Sequence, residues 1–272
     1  ANLHNARRAA TPIVNVVGDH ATYHLQYDAL LTSDIVGFAR PVSSWIHESK
    51  SAKAVAGDTA RAVQAARAAP GGIATLVLPA DTAWNAADRA ARMLPDIGPA
   101  AVDKDAIEDI AKLLSNGRKS ALLLRGPALH GAGLEAAGRV QARTGARLLC
   151  DTFAPHAELG AGRVPVERIP YFAEQIVAFL QGIEQIVLVG SKPPVSFFAY
   201  PGKPSWCAPG NCEFSHLAQP HEDGVRALQD LADALGAPAG PAMRIPLKLP
   251  GLPSGALSAL SVAQVIAQLT PD

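Results

Sequence analysis

The chain has little cysteine, no net charge and no long apolar run, and each shortage excludes a class of protein. Three cysteines, Cys150, Cys207 and Cys212, in 272 residues cannot build a disulfide framework and agree with a reducing compartment. Lys plus Arg and Asp plus Glu both number 24, so the formal net charge is zero. Basic residues gather only in the isolated pairs Arg7-Arg8 and Arg118-Lys119. That balance offers no overall attraction to nucleic acid or anionic lipid. No apolar stretch approaches the roughly 20 residues of a membrane span. The N-terminus also lacks the charged, apolar and small-residue series of a secretory signal. A cytoplasmic protein that binds neither nucleic acid nor membrane is the expectation. Walker A, GxSxG and HExxH motifs are missing too, which disfavours the NTPases, hydrolases and metalloproteases built on them.

What is present concentrates in residues 11–35, TPIVNVVGDHATYHLQYDALLTSDI. Ile13 to Val17 form a mostly apolar run, β-branched at four positions, as a strand buried on both faces of a parallel sheet requires. Gly18 ends it, and Asp19, His20, His24, Gln26 and Asp28 come next. They would stand at a strand's carboxyl end, the edge at which open α/β sheets bind ligands. The same residues also suit a plain strand-to-helix connection: polar groups are needed there in any case, and Asp19 can cap the turn after the strand.

Along the chain, helical and strand patterns alternate. Ala1 to Ala10 reads as a helix already under way. Ser44 to His47 suits a short strand, and Ser51 opens a helix whose inward positions are Val55, Thr59, Ala62, Val63 and Ala66, stopped by Pro70-Gly71-Gly72. Ile73 to Leu78 is a second buried strand, and residues 80–101 read as a linker. A more regular unit comes after it: a helix capped by Asp103, strands at 121–124, 147–150, 186–189 and 213–217, and helices at 134–143, 171–180 and 224–235. This predicts an α/β protein with parallel sheets covered by helices, the second unit a complete doubly wound, Rossmann-like domain. Residues 236–255, rich in Pro and Gly, form an extended strap, and Ser261 can cap a final amphipathic helix that stops at Thr270-Pro271-Asp272.

Three further constellations carry chemistry on paper. Arg125-Gly126-Pro127, then Gly131 and Gly133, with Asp151 at the end of the next strand, suggest a dinucleotide site, but the glycines read GxxxxGxG rather than GxGxxG. A turn at a helix start explains them equally. Cys207, Cys212, His216 and His221 are zinc-ligand types, with too short a gap between the pairs for a finger. Residues 190–206 place Phe197, Phe198, Tyr200 and Trp206 after a strand, suited to stacking on a planar ligand or to packing against a neighbouring domain.

The segments GDHATYHLQYDALLTSDI, PVSSWIHESKS and APGGIATLVLPADTAW resemble the second half of the pyrimidine-binding domain of thiamine-diphosphate enzymes, in the acetolactate synthase and benzoylformate decarboxylase group. ALLLRGPAL, GARLLCDTF and IVLVGSKPPVSFFAYPGKPSW resemble that group's middle domain, and SVAQVIAQLTPD its next domain's opening helix. The resemblance implies a partial pyrimidine-binding domain over 1–90, a middle domain over 91–237, and over 238–272 a linker with the first helix of a pyrophosphate-binding domain. It implies a homodimer or homotetramer using thiamine diphosphate and Mg²⁺. The reaction would be decarboxylation of a 2-oxo acid, with transfer of the resulting enamine to a proton or a carbonyl.

The family's coenzyme-binding glutamate and its GDG-Asn metal motif match nothing in this sequence, so no metal ligand is expected here and the 272 residues alone are expected to be inactive. By order, Gly18-Asp19 and Asp28-Ala29-Leu30-Leu31 match the substrate-facing elements, with Asp19 standing where relatives have Gln. Leu30 and Leu31 would bound the pocket, and His20 or His24 would supply a proton. SKPPVSFFAY carries no arginine where flavin-binding relatives have one, so FAD is not expected. The competing expectations are a non-catalytic nucleotide-binding or interaction protein, motivated by Gly126 and Asp151, and a zinc-stabilised adaptor.

Overall fold

The structure, a computed structural model, describes residues 1–270. It contains two all-parallel sheets. The first has the order β1-β3-β2, from β1 (Ile13–Asp19), β2 (Trp45–Glu48) and β3 (Ile73–Pro79). Around it stand α1 (Asn2–Ala9), α2 (Ile35–Ala39), α3 (Ala52–Arg67) and α4 (Ala80–Trp84). β3 is the central strand and is buried almost throughout, as its uninterrupted apolar run requires. Ala74 and Leu76 meet Ala62 and Ala66 of α3, while Thr75 turns away from them and accepts a hydrogen bond from Asn15 Nδ2 at 3.1 Å.

β1 departs from expectation. Its composition predicts burial on both faces, yet among the described residues it is an edge strand paired only with β3, and Val16 is 57% exposed. β-branched composition reports fitness for a pleated surface and says nothing about which flank a neighbour occupies.

The second sheet has the order β6-β5-β4-β7-β8, from β4 (Ser120–Leu124), β5 (Arg147–Cys150), β6 (Glu167–Arg168), β7 (Gln185–Val189) and β8 (Glu213–Ala218). Alternate side chains of β4 divide its core. Leu122 and Leu124 face α5 (Lys104–Leu114), α6 (Gly131–Thr144) and α8 (Gly224–Ala234), whereas Ala121 and Leu123 face α7 (Ala173–Leu180). Helices on both faces of a parallel sheet are the doubly wound arrangement the alternation predicts. α6 packs so closely that a Cβ at Gly133 would lie 2.7 Å from Pro127 O and 2.9 Å from Ala128 Cα. Close helix packing therefore accounts for this glycine without a bound phosphate.

Smaller differences have local causes. α4 takes up the first five residues of the expected linker, and the two-residue β6 was not visible as a pattern. The last helix, α9 (Ala259–Leu269), starts earlier than Ser261 predicts: Ser258 is the cap, and Ser261 is its partner in a capping box. The expected stop reaches residues 271 and 272, which lie outside the described residues. No helix among the described residues is long and apolar enough to cross a membrane.

Candidate functional site

The carboxyl end of β1 and the segment after it carry the densest polar chemistry of the first unit. β1 and β3 are in register to their ends, so Asp19 stands opposite Pro79, and Asp81 lies just past Pro79 in the first turn of α4. Asp81 reaches across to the segment: its carboxylate accepts from Thr22 N at 2.9 Å and from Thr22 Oγ at 2.7 Å. These two bonds hold its carboxyl below the ordinary carboxylate value. Asp19 Oδ1 accepts from His20 N at 2.7 Å, a local role that satisfies the turn.

His20 and His24 come together, their ring centroids 5.4 Å apart, and Tyr27 lies 5.8 Å beyond His24. His20 Nε2 is covered and has no hydrogen-bond partner among the described residues. A buried polar atom left unpaired is costly, and such atoms concentrate where another molecule or another conformation supplies the partner. Asp28 takes a left-handed backbone conformation, φ 46°, ending the short 3-10 turn Leu25–Tyr27. Gly18 and Asp28 are exposed and Ala29 is half-buried. Leu30 and Leu31 are 98% and 78% exposed. Sequence order thus brings the two histidines together and leaves the leucines uncovered by the rest of this chain.

Asp81 is the residue that sequence reasoning missed. It succeeds the strand LVLP as Asp19 succeeds VVG, so the rule that singled out Asp19 also reaches Asp81. Asp81→Ala should release the segment without unfolding the sheet. Amide exchange of Thr22 and its neighbours is expected to rise about tenfold or more, while exchange within β3 is unchanged. Equal protection of Thr22 in both proteins would disprove the tether.

The other constellations close on themselves. Arg125 Nη1 pairs with Asp151 Oδ2 at 2.7 Å. Burial pushes the Asp151 carboxyl up, and Arg125 opposes that shift. The chain reverses its winding between β4 and β7, where open α/β sheets bind ligands. Arg125 N donates there to Val189 O at 3.1 Å, and Ser191 Oγ to Leu123 O at 2.7 Å. The groups that would grip a pyrophosphate are thus engaged with one another.

Among the described residues no three His, Cys, Asp or Glu side chains converge as a metal site, so the zinc-ligand types Cys207, Cys212, His216 and His221 do not assemble into one. Burial pushes both thiols up, which keeps them protonated. The aromatic loop does gather a cluster. Phe197 meets Tyr171 and Phe153 from other loops and Phe198 beside it, and Tyr171, Phe197 and Phe198 line a cleft of about 420 Å³ with the Glu174–Lys203 ion pair at its rim.

Nor do the described residues fit thiamine diphosphate by themselves. No metal cluster forms, and the first unit's one glutamate, Glu48, pairs with Lys50 at 3.1 Å.

No family model matches the chain. A Mycobacterium tuberculosis protein bearing the name acetolactate synthase large subunit IlvX is 46% identical over the whole chain, which covers 52% of that protein. Among solved structures, a thiamin diphosphate-dependent enzyme from Mycobacterium smegmatis superposes with a TM-score of 0.70 at 19% identity, over 99% of this chain and 55% of its own. Benzoylformate decarboxylase from Polynucleobacter necessarius gives 0.68 at 18% identity, over 99% and 53%. The Rhodococcus jostii RHA1 thiamine diphosphate-dependent 4-hydroxybenzoylformate decarboxylase gives 0.64 at 19%, over 94% and 51%. The chain is therefore similar, along its whole length, to proteins of the acetolactate synthase and benzoylformate decarboxylase group, and it spans about half the length of each.

Proposed function

We propose that these residues are the substrate-facing and spacer part of a thiamine-diphosphate-dependent 2-oxo-acid carboligase or decarboxylase, acetolactate synthase-like. The carrying observation is the 46% identity along the full chain to a protein named as an acetolactate synthase large subunit. Thiamine diphosphate, held with Mg²⁺ by segments other than these, supplies the electron sink for loss of CO₂ from the 2-oxo acid. No flavin is proposed, because SKPPVSFFAY lacks an arginine.

This chain's own residues have narrower tasks. His20, through Nε2, holds or moves a proton, and His24 beside it orients the ring. Gly18 and Asp19 end the strand that carries them. Asp28 and Ala29 turn the segment so that Leu30 and Leu31 project outward, where a further domain or a second subunit of a homodimer or homotetramer would enclose them as an apolar wall. Solvent-exposed leucines at this density suit such burial. The nucleotide-binding alternative is less well supported, since Arg125 already occupies Asp151.

Calorimetric titration and an assay of CO₂ release test the reading. The full-length gene product should bind thiamine diphosphate in the presence of Mg²⁺ and decarboxylate a 2-oxo acid, and the 272-residue chain should do neither. Turnover by the 272 residues with added coenzyme, or a full-length protein that binds a nucleotide and no thiamine diphosphate, would refute it.

A further inference from the structure

The two sheets are stitched to the segment between them from opposite sides. Towards the first sheet, Lys53 pairs with Asp88 at 3.4 Å, Gln64 Nε2 donates to Pro95 O at 2.7 Å, and Arg67 pairs with Asp96 at 2.7 Å, which fastens residues 88–96 along α3. Towards the second, Ala100 N donates to His221 O at 3.1 Å and Asp223 N to Ala100 O at 2.7 Å, while Val102 packs on the core under α8. Ile97, Gly98 and Pro99 lie between the two sets. Ile97 is exposed, and a side chain at Gly98 would meet nothing within 4 Å.

One direct polar contact spans residues 1–96 and 100–270 among the described residues: Arg125 Nη2 donates to Arg8 O at 2.6 Å. Its acceptor lies in the last turn of α1, where unpaired carbonyls and the helix dipole favour a cation. The turn it grips is firmly built. Thr11 N donates to Ala6 O at 3.0 Å and Ile13 N to Gly72 O at 3.0 Å, so the end of α1, the start of β1 and the turn before β3 move as one. Arg125's other nitrogen is anchored by Asp151, which fixes the guanidinium's direction.

The geometry points to residues 97–99 as a hinge between the two sheets and to Arg125 as the latch that sets its angle. Units joined by a short free segment and little shared surface move relative to one another by default, and hinges absorb that motion in a few residues. Here the Arg125 guanidinium on Arg8 O is the direct polar tie among the described residues that opposes it. β1 runs from the gripped turn to His20, so the latch also sets where the histidine pair stands relative to the second sheet. The inference rests on contacts within this chain and stands apart from the proposed activity.

The test is a spin-label distance measurement on the 272-residue chain, with nitroxides on Thr59→Cys in α3 and Ala234→Cys in α8, in a Cys212→Ser background. Arg125→Met should broaden the distance distribution about twofold relative to the labelled parent, and Asp151→Asn, which keeps the cation but removes its anchor, should broaden it less. Circular dichroism shows whether each variant is folded at the measuring temperature. An unchanged distribution in folded Arg125→Met overturns the latch. If that variant does not fold, an unchanged distribution in Asp151→Asn overturns it instead.

Discussion

Asp58→Leu is expected to destabilise the first sheet by about 2–4 kcal/mol, because it removes the acceptor at the centre of a buried polar cluster. Asp58 is 2% exposed on the inner side of α3. It accepts from Ser49 Oγ at 2.7 Å, lies 3.3 Å from His47 Nε2, and pairs with Arg61. Ser49 is fully buried, so its hydroxyl would be stranded beside a leucine. Arg61 and His47 reach solvent and would be rehydrated, which keeps the loss below that of a wholly enclosed ion pair. Asp58→Asn should cost less, since its amide oxygen can still accept from Ser49.

The same group sets an acid limb. Burial pushes the Asp58 carboxyl up, but the Ser49 hydroxyl, the charge on His47 and the Arg61 guanidinium outweigh it, so the folded value lies below the ordinary 3.8. A depressed carboxyl stabilises the fold fully above the unfolded value, and that contribution is lost as pH falls through the folded one. Amide exchange in β2 and α3 should therefore be insensitive to this group above about pH 5 and accelerate below it, and Asp58→Leu should remove that acceleration. Equal exchange in parent and variant at pH 7 would defeat the prediction.

Asp58 also shows what a sequence withholds. Helical spacing puts Thr59 inward, whereas the structure turns Thr59 outward, where its hydroxyl bonds Val55 O at 2.8 Å, and points Asp58 in. A periodicity argument places small and apolar residues inward by default, and a buried carboxylate becomes reasonable only once Ser49 and Arg61 are seen beside it. β3, β4 and β7 were legible because central parallel strands leave an uninterrupted apolar run. α2 and α4, five residues each, are too short to show a period, and β1's edge position depends on neighbours its own residues do not encode. In the candidate site the histidine pair was legible because both members lie on one short segment. The Thr22–Asp81 bridge and the Phe153–Phe197 contact join residues far apart in the chain, so only the fold brings them together.

If the proposed chemistry is right, His20→Gln in the full-length enzyme should lower kcat by about 10²–10⁴-fold with KM little changed, the range for losing a positioned proton-transfer group. Imidazole suits that task because its ordinary titration falls near physiological pH. The structure favours His20 over its neighbour: its Nε2 is covered and lacks a partner, while the His24 ring lies between those of His20 and Tyr27. His24→Gln should therefore cost less, about tenfold, through loss of orientation. Because Nε2 is covered in this conformation, the segment between Asp19 and Asp34 must shift for a substrate to reach it, and Asp81→Ala should alter that step without touching the proton. Free imidazole added to His20→Ala discriminates best. It should restore part of the lost rate if His20 carries a proton, and it should do nothing if His20 only fills space. A His20→Gln enzyme with the parent's kcat, or a larger loss in His24→Gln, would move the assignment away from His20.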